Sequence, residues 1–398
     1  MRRPLNPGWR GLPGVHEVKS SIQSTIPRTT ITLLGLIVFV VSTRAVESGK
    51  HRVADDLKIP LWDYSAALRG SIGYKDNVLL GRTNAQGSAF WMSGAELMLF
   101  RLPTHGWQFT FFAEATDARY FDAPTVNNEQ MALAVAQLSK DFGDGWKSTW
   151  GLNYLFQNQV FDNATTYTNQ SSVGLILGHT LTPRWSVRKN WGALYAETEF
   201  SGTRQWLDAP LDSYWQFGPR AALGRIWPHG SDLALSYQFA RLDYDSREQL
   251  SATGGVVTNS SLSLSAHVFE LGFTGLWGAR KEWQSLSAAG FEMSEDNGSG
   301  FFDYNIYRLS QRLRYRNPRW EITMQARVAY YDYATQTVSA TDLSRRHKLL
   351  IGLGIRAERK ITEHLSAHAS YGWERSMSNL DFDDYEAGTV MGGLTLNF

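Results

Sequence analysis

Arg308, Arg312, Arg314 and Arg316 fall on alternate positions of the stretch Tyr304 to Arg316, with Ser310 completing the series, while Tyr307, Leu309, Leu313 and Tyr315 fill the other parity. A spacing of two puts the first set on one face of a β-strand and the second on the opposite face. Arginine keeps its charge and offers only donors, so this row suits binding or steering anions rather than moving protons. The pattern continues: Glu321, Thr323, Gln325 and Arg327 alternate with Trp320, Ile322, Met324, Ala326 and Val328. Lys348, Arg356 and Glu358 follow, then His364, Ser366, His368, Ser370 and Glu374. Earlier segments carry Glu96, Glu114, Asn153, Gln157, Arg188, Gln216 and Arg220 on the corresponding parity. Such a face cannot meet hydrocarbon, where each arginine costs about 2–4 kcal/mol near the midplane. Two readings stand side by side. The charges form an ion-pair network that stiffens a wall, since Glu321 and Glu358 lie on neighbouring strands, or they line a pore and favour anions.

Other chemistry is absent from the motifs. No Gly-x-Ser-x-Gly in a strand-to-helix context, no Gly-rich phosphate loop and no His-Glu-x-x-His occurs. His364 and His368, four apart on a strand, would stand roughly 13 Å from each other, too far to share a metal. His267 beside Glu270 lacks a nucleophile and an orienting group, so no catalytic residue, metal or cofactor is expected.

The elements that position these residues are strands. Ala66, Leu68, Gly70, Ile72 and Tyr74 oppose Ala67, Arg69, Ser71 and Lys75; Trp150, Leu152, Tyr154 and Phe156 oppose Thr149, Asn153 and Gln157; Leu233, Leu235, Tyr237 and Phe239 oppose Asp232, Ser236 and Gln238. Met131 to Leu138 and Gln284 to Met293 alternate poorly, and there the spacing of their neighbours decides.

Turn chemistry followed by Trp recurs in Pro103–Trp107, Gly143–Trp146, Thr182–Trp185 and Asn317–Trp320; Trp227–Gly230 and Trp277–Trp283 are variants. The spacing from Trp107 to Trp146 and from Trp146 to Trp185 is 39 residues, enough for one strand out, a longer loop and one strand back. Longer polar connections lie between: Asp76 to Gly87, Phe121 to Asn128, Asp162 to Asn169, Ser201 to Leu211, Ser246 to Ser261 and Thr335 to Ser344. Gly202 to Leu211 and Arg247 to Ser261 are long enough to fold inward. With Lys360–Glu363 as a seventh short turn, the chain makes an all-β, transmembrane, antiparallel up-and-down β-barrel of about 16 strands, bounded by 14 and 18. A propeller would need four strands inside each repeat, which the segments do not supply.

The 398 residues contain no Cys, which excludes disulfides and Cys-based metal sites. Arg28 precedes an apolar run, Ile31 to Val41, and Ser42 to Ala45 are suited to cleavage. Residues 1–45 therefore read as a signal peptide with an extended basic portion, 46–60 as a short periplasmic segment and 61–398 as the barrel. The run is too short to favour an uncleaved anchor helix. Without residues 1–45 the net charge is about −4, and nucleic acid is not an expected partner.

The chain ends in mid-strand on an aromatic, with Val390, Gly392, Leu394, Leu396 and Phe398 on one face. This stretch resembles the C-terminal assembly signal of bacterial outer-membrane barrels, which implies recognition of Phe398, Leu396 and Leu394 by the barrel assembly machinery. Ser71-Ile72-Gly73-Tyr74-Lys75-Asp76-Asn77-Val78 resembles the start of the β-barrel porin and surface-polysaccharide-associated barrel families. Together these imply residence in the bacterial outer membrane, in contact with its lipid and lipopolysaccharide. The expected function is a porin-like channel for passive diffusion of small hydrophilic solutes, with anions favoured by a pore lining of Arg308, Arg312, Arg314, Arg316, Glu321, Arg327, Arg356, Glu358, Arg220 and Glu114. The alternative is a barrel for export or assembly of a surface polysaccharide or protein partner. A homo-oligomer is compatible with either.

Overall fold

A computed structural model of the chain describes residues 61–82, 85–162, 173–209, 211–339 and 341–398. The expected signal peptide, the segment 46–60 and most of the Asp162–Asn169 connection lie outside the described residues. In chain order the strands are β1 (Trp62–Lys75), β2 (Ser88–Thr104), β3 (Trp107–Tyr120), β4 (Asn128–Gly143), β5 (Trp146–Asp162), β6 (Val173–Trp191), β7 (Leu194–Leu207), β8 (Tyr214–Ile226) and β9 (Asp232–Tyr244). They continue with β10 (Gln249–Leu250), β11 (Val256–Val257), β12 (Ser263–Trp277), β13 (Trp283–Asp296), β14 (Tyr304–Arg316), β15 (Trp320–Thr337), β16 (Arg345–Lys360), β17 (Leu365–Ser378) and β18 (Tyr385–Asn397). β10 and β11 form a small hairpin in one loop, and the other 16 strands close into an antiparallel barrel in which sequence neighbours pair.

Closure joins β1 to β18, in register from Ala67↔Asn397 to Lys75↔Thr389. Every strand edge is thereby paired, the condition for a sheet in hydrocarbon. The terminal aromatic is part of the seam: the Phe398 N–H donates to the Ala66 carbonyl at 2.9 Å. Alternation decides the faces. Ile72 is 65 % exposed while its neighbour Ser71 is 1 % exposed. Leu68, Leu235, Leu309, Leu394 and Leu396 are likewise exposed on the outside.

Seven short turns join the strands at one end, so the count of 16 holds, but one turn sits elsewhere than expected. Thr182-Pro183-Arg184-Trp185 lies inside β6, and the turn is Trp191-Gly192-Ala193-Leu194, with Gly192 at φ +62°. Pro183 has no N–H to give, and the β6–β7 pairing skips from Leu181↔Arg204 to Arg184↔Ser201. The proline marks an interruption in a strand, not its end. In consequence β7 runs on to Leu207, and the Ser201–Leu211 connection is mostly strand. Gly202–Leu211 does not fold inward as a loop. Arg204 pairs with Asp245 and lies against the rings of Trp206 and Trp215, both exposed.

The two poorly alternating segments are strands for separate reasons. In β4 the inner face is also apolar: Leu133 and Val135 pack with Phe112 and Leu155. In β13 the outer face is partly polar, because Ser285 and Ser287 both hydrogen-bond Gln311 of β14.

Candidate functional site

The inner face is fixed by contacts that span several strands. The Arg69 guanidinium on β1 reaches Glu96 on β2 at 2.6 Å and Glu114 on β3 at 3.2 Å. Ser71 Oγ lies 3.0 Å from His368 Nε2 on β17, and Thr395 Oγ1 of β18 lies 3.4 Å from the Nδ1 of the same ring. Residues opposite one another in a ladder share a face. Pairing therefore carries this parity around the wall: Thr395 faces Arg69, Arg356 faces Ser370 and Thr323, and Arg314 faces Thr323. Arg308, Arg312, Arg314 and Arg316 on β14, Glu321 and Arg327 on β15, Arg356 and Glu358 on β16, Arg220 on β8 and Glu114 on β3 all lie on that parity. Phe398, Leu396 and Leu394 lie on the opposite, exposed one.

Most of these charges have partners on the same strand or one or two strands away. Arg308 pairs with Glu292 at 3.0 Å and Arg327 with Glu374 at 2.8 Å. Arg314 and Arg316 share Glu321, at 2.7 and 3.7 Å. Glu358 receives Arg356 at 3.0 Å and the Ser366 hydroxyl at 2.7 Å. Arg220 stands opposite Glu199, which lies 3.7 Å from Arg184. The wall is thus laced with ion pairs, and the sharing of Glu321 by two arginines concentrates cations in the sector from β14 to β16.

Toward the loop end the inner side is packed. Lys348 on β16 is fully buried and pairs at 2.7 Å with Asp162 at the end of β5. Arg346, also buried, pairs with Asp383, hydrogen-bonds Gln336 at 2.8 Å and lies over the Tyr333 ring. Tyr304, Ile306 and Tyr333 cluster beside them. Val160 of β5 packs against Leu80, Tyr385 and Ala387. Of the charged residues in this group, only Lys348 stood out in the sequence as an inward-facing side chain. Asp162 finds Lys348 only once the barrel closes, whereas Arg346 meets Asp383 of the connection that follows the adjacent strand β17.

Two histidine readings change. His364 sits in the turn before β17, with Nδ1 3.0 Å from the Asn397 carbonyl oxygen. His267 lies on the outer face against Tyr237, in register with Phe239, whereas Glu270 is in register with the inner Ser236. They point to opposite faces and form no pair. Among the described residues no group of three or more His, Asp or Glu is placed to hold a metal ion.

No protein-family model matches the chain. No curated protein matches it either. Among solved structures it is similar to the anion-selective porin from Comamonas acidovorans at 12% identity and a TM-score of 0.43, over 85% of this chain and 99% of that one. OpdQ from Pseudomonas aeruginosa is similar at 12% identity and a TM-score of 0.43, covering 85% and 98%. A bacterial polysaccharide outer membrane secretin is similar at 11% identity and a TM-score of 0.39, covering 84% and 98%. These identities transfer no residue role. The closed wall itself carries the assignment: an apolar outer face, a rim of Trp and Tyr, and a charged interior are the features of a strand-built membrane protein. The chain is a closed 16-stranded β-barrel of the membrane-spanning kind.

Proposed function

We propose that this barrel is a porin-like channel of the bacterial outer membrane for passive diffusion of small hydrophilic solutes, with an anion bias set by the arginines of its inner wall. The observation that supports the bias is the shared carboxylate. Arg314 and Arg316 both lean on Glu321, and Arg312 and Arg356 lie on the same inner face beside them. In this sector four arginines face two carboxylates, Glu321 and Glu358, and a water-filled passage along it would carry a positive potential. Under this reading Arg308, Arg327, Arg220 and Glu114 line the same passage as paired charges that shape it without adding to the bias.

A second reading, a barrel that opens for export or assembly of a surface polysaccharide or protein partner, is favoured by the packing at the loop end. The buried pair Lys348–Asp162, which joins strands on distant parts of the wall, suits a mouth that rests closed.

Swelling of vesicles containing the folded protein separates the two. The channel reading expects entry of small neutral sugars, with small organic anions entering faster than cations of equal size. A folded barrel that admits neither would pass the weight to the second reading.

A further inference from the structure

Around the short-turn rim the outer face carries an arrangement that diffusion does not require. Lys140 on β4 places its ammonium 5.1 Å from the centre of the Trp107 ring and donates to the His105 carbonyl at 2.6 Å. One hairpin further on, Lys189 on β6 lies 4.9 Å from the Trp146 ring and donates to the Asp144 carbonyl at 2.6 Å. The two sites are the same construction: a lysine laid over the first Trp after a short turn and tied to a carbonyl of that turn. Each ammonium has three donors, so the carbonyl leaves others for a ligand.

Between the two lysines the wall is hollowed. Phe142, Trp146, Trp150, Trp185 and Val187, together with Lys147 and Ser148, line an outward-facing cleft of about 410 Å³. Its shape is held from behind. The Trp185 Nε1–H donates to Ser148 Oγ at 2.9 Å, and Trp150 stacks on Trp107 at 6.1 Å. The Lys189 ammonium lies over Trp146, a wall of the cleft, and the Lys140 ammonium lies over Trp107, which stacks on the wall residue Trp150, so each cation sits on a ring at one flank of the cleft.

We propose that this cleft binds one acyl chain of an anionic glycerophospholipid, with the lipid phosphate held between Lys140 and Lys189. The occupant follows from the surroundings. The cleft is continuous with the hydrocarbon-facing surface, its walls are mostly aromatic and apolar, and the cations in its lining and over its flanking Trp rings are Lys147, Lys140 and Lys189. Short turns face the periplasm in outer-membrane barrels, which puts the site in the periplasmic leaflet, the phospholipid side of that membrane. The proposal rests on this orientation and is independent of what passes through the barrel.

Native mass spectrometry of the protein, purified in mild detergent and supplied with equal amounts of phosphatidylglycerol and phosphatidylethanolamine of identical chains, tests it. The protein retains phosphatidylglycerol in preference, by about fivefold for each lysine engaged. Lys140→Gln with Lys189→Gln brings the preference close to parity, while Arg359→Gln, which removes a cation over Trp320 outside the cleft, leaves it intact. Should the double variant fail to fold, salt supplies the test on the unaltered protein, because the preference falls as ionic strength rises. Equal retention of the two lipids, a preference surviving both lysine changes, or one insensitive to salt overturns the proposal.

Discussion

Lys348 and Asp162 meet at 2.7 Å, although β16 and β5 stand seven strands apart in the closed order β16-β17-β18-β1-β2-β3-β4-β5. The contact arises because β5 and β6 stay paired beyond the end of their neighbour. The last β4 partner is Gln130, opposite Asn158, whereas β5–β6 pairing continues to Asp162↔Val173. The projecting end reaches the far wall, where both charges leave water. A fully buried lysine is tolerable only because the carboxylate accompanies it.

Lys348→Met leaves the Asp162 carboxylate buried without its counter-charge and should cost about 3–5 kcal/mol of stability. Lys348→Met with Asp162→Leu should recover most of that loss. Urea unfolding in lipid vesicles measures both, and a double variant no more stable than the single one would mean that the pair is incidental.

Glu321→Gln removes the carboxylate that Arg314 and Arg316 share. The anion preference of the channel should rise, opposite in direction to the effect of Arg314→Ser. Reversal potentials under a salt gradient report the sign, and equal shifts in one direction would place the bias elsewhere.

Two loops should respond to acid in opposite senses. The hydrogen bond from Arg204, 2.7 Å long, holds the Asp245 carboxyl below its ordinary range against a smaller opposing effect of burial. A lowered value in the folded state stabilises above the unfolded value of about 3.9 and is lost as pH falls through the folded one. Burial raises Asp303, only partly offset by the hydrogen bond from the Asp296 N–H. That loop is most stable below about pH 3.9 and loses stability as pH rises through the raised value. Amide exchange should therefore speed up with acid around Asp245 and slow down around residues 297–303. Parallel responses would contradict the assignment.

Gly143 and Gly145 flank Asp144 in one short turn, at φ +82° and +78°. A Cβ at Gly143 meets nothing within 4 Å, whereas one at Gly145 would lie 2.5 Å from the Asn190 carbonyl oxygen. Gly143→Ala should cost about 1–2 kcal/mol for the left-handed backbone alone. Gly145→Ala should cost more, because the next hairpin must also move. Equal costs in urea unfolding would show that the neighbour yields freely.

The arginine row was readable because period two survives any closure: β14 begins and ends at Tyr304 and Arg316, the limits of the alternation. Turns were readable where Gly and Asp supply positive φ, as at Gly143-Asp144-Gly145, and misread at Thr182–Trp185, where proline interrupts a strand without turning it. β4 was hard to read because Leu133 and Val135 make its inner face as apolar as its outer one. The packed loop end was not readable at all. Lys348 and Asp162 are separated by 186 residues, and no local pattern announces a partner that the barrel brings from its other side.

Single-channel conductance in planar bilayers, with a salt gradient to read selectivity, tests the channel most directly. A steady open level whose reversal potential favours anions, with the preference reduced by Arg312→Ser and Arg314→Ser, is the expected result. A folded barrel that stays silent, or an open one whose selectivity ignores both arginines, would contradict it.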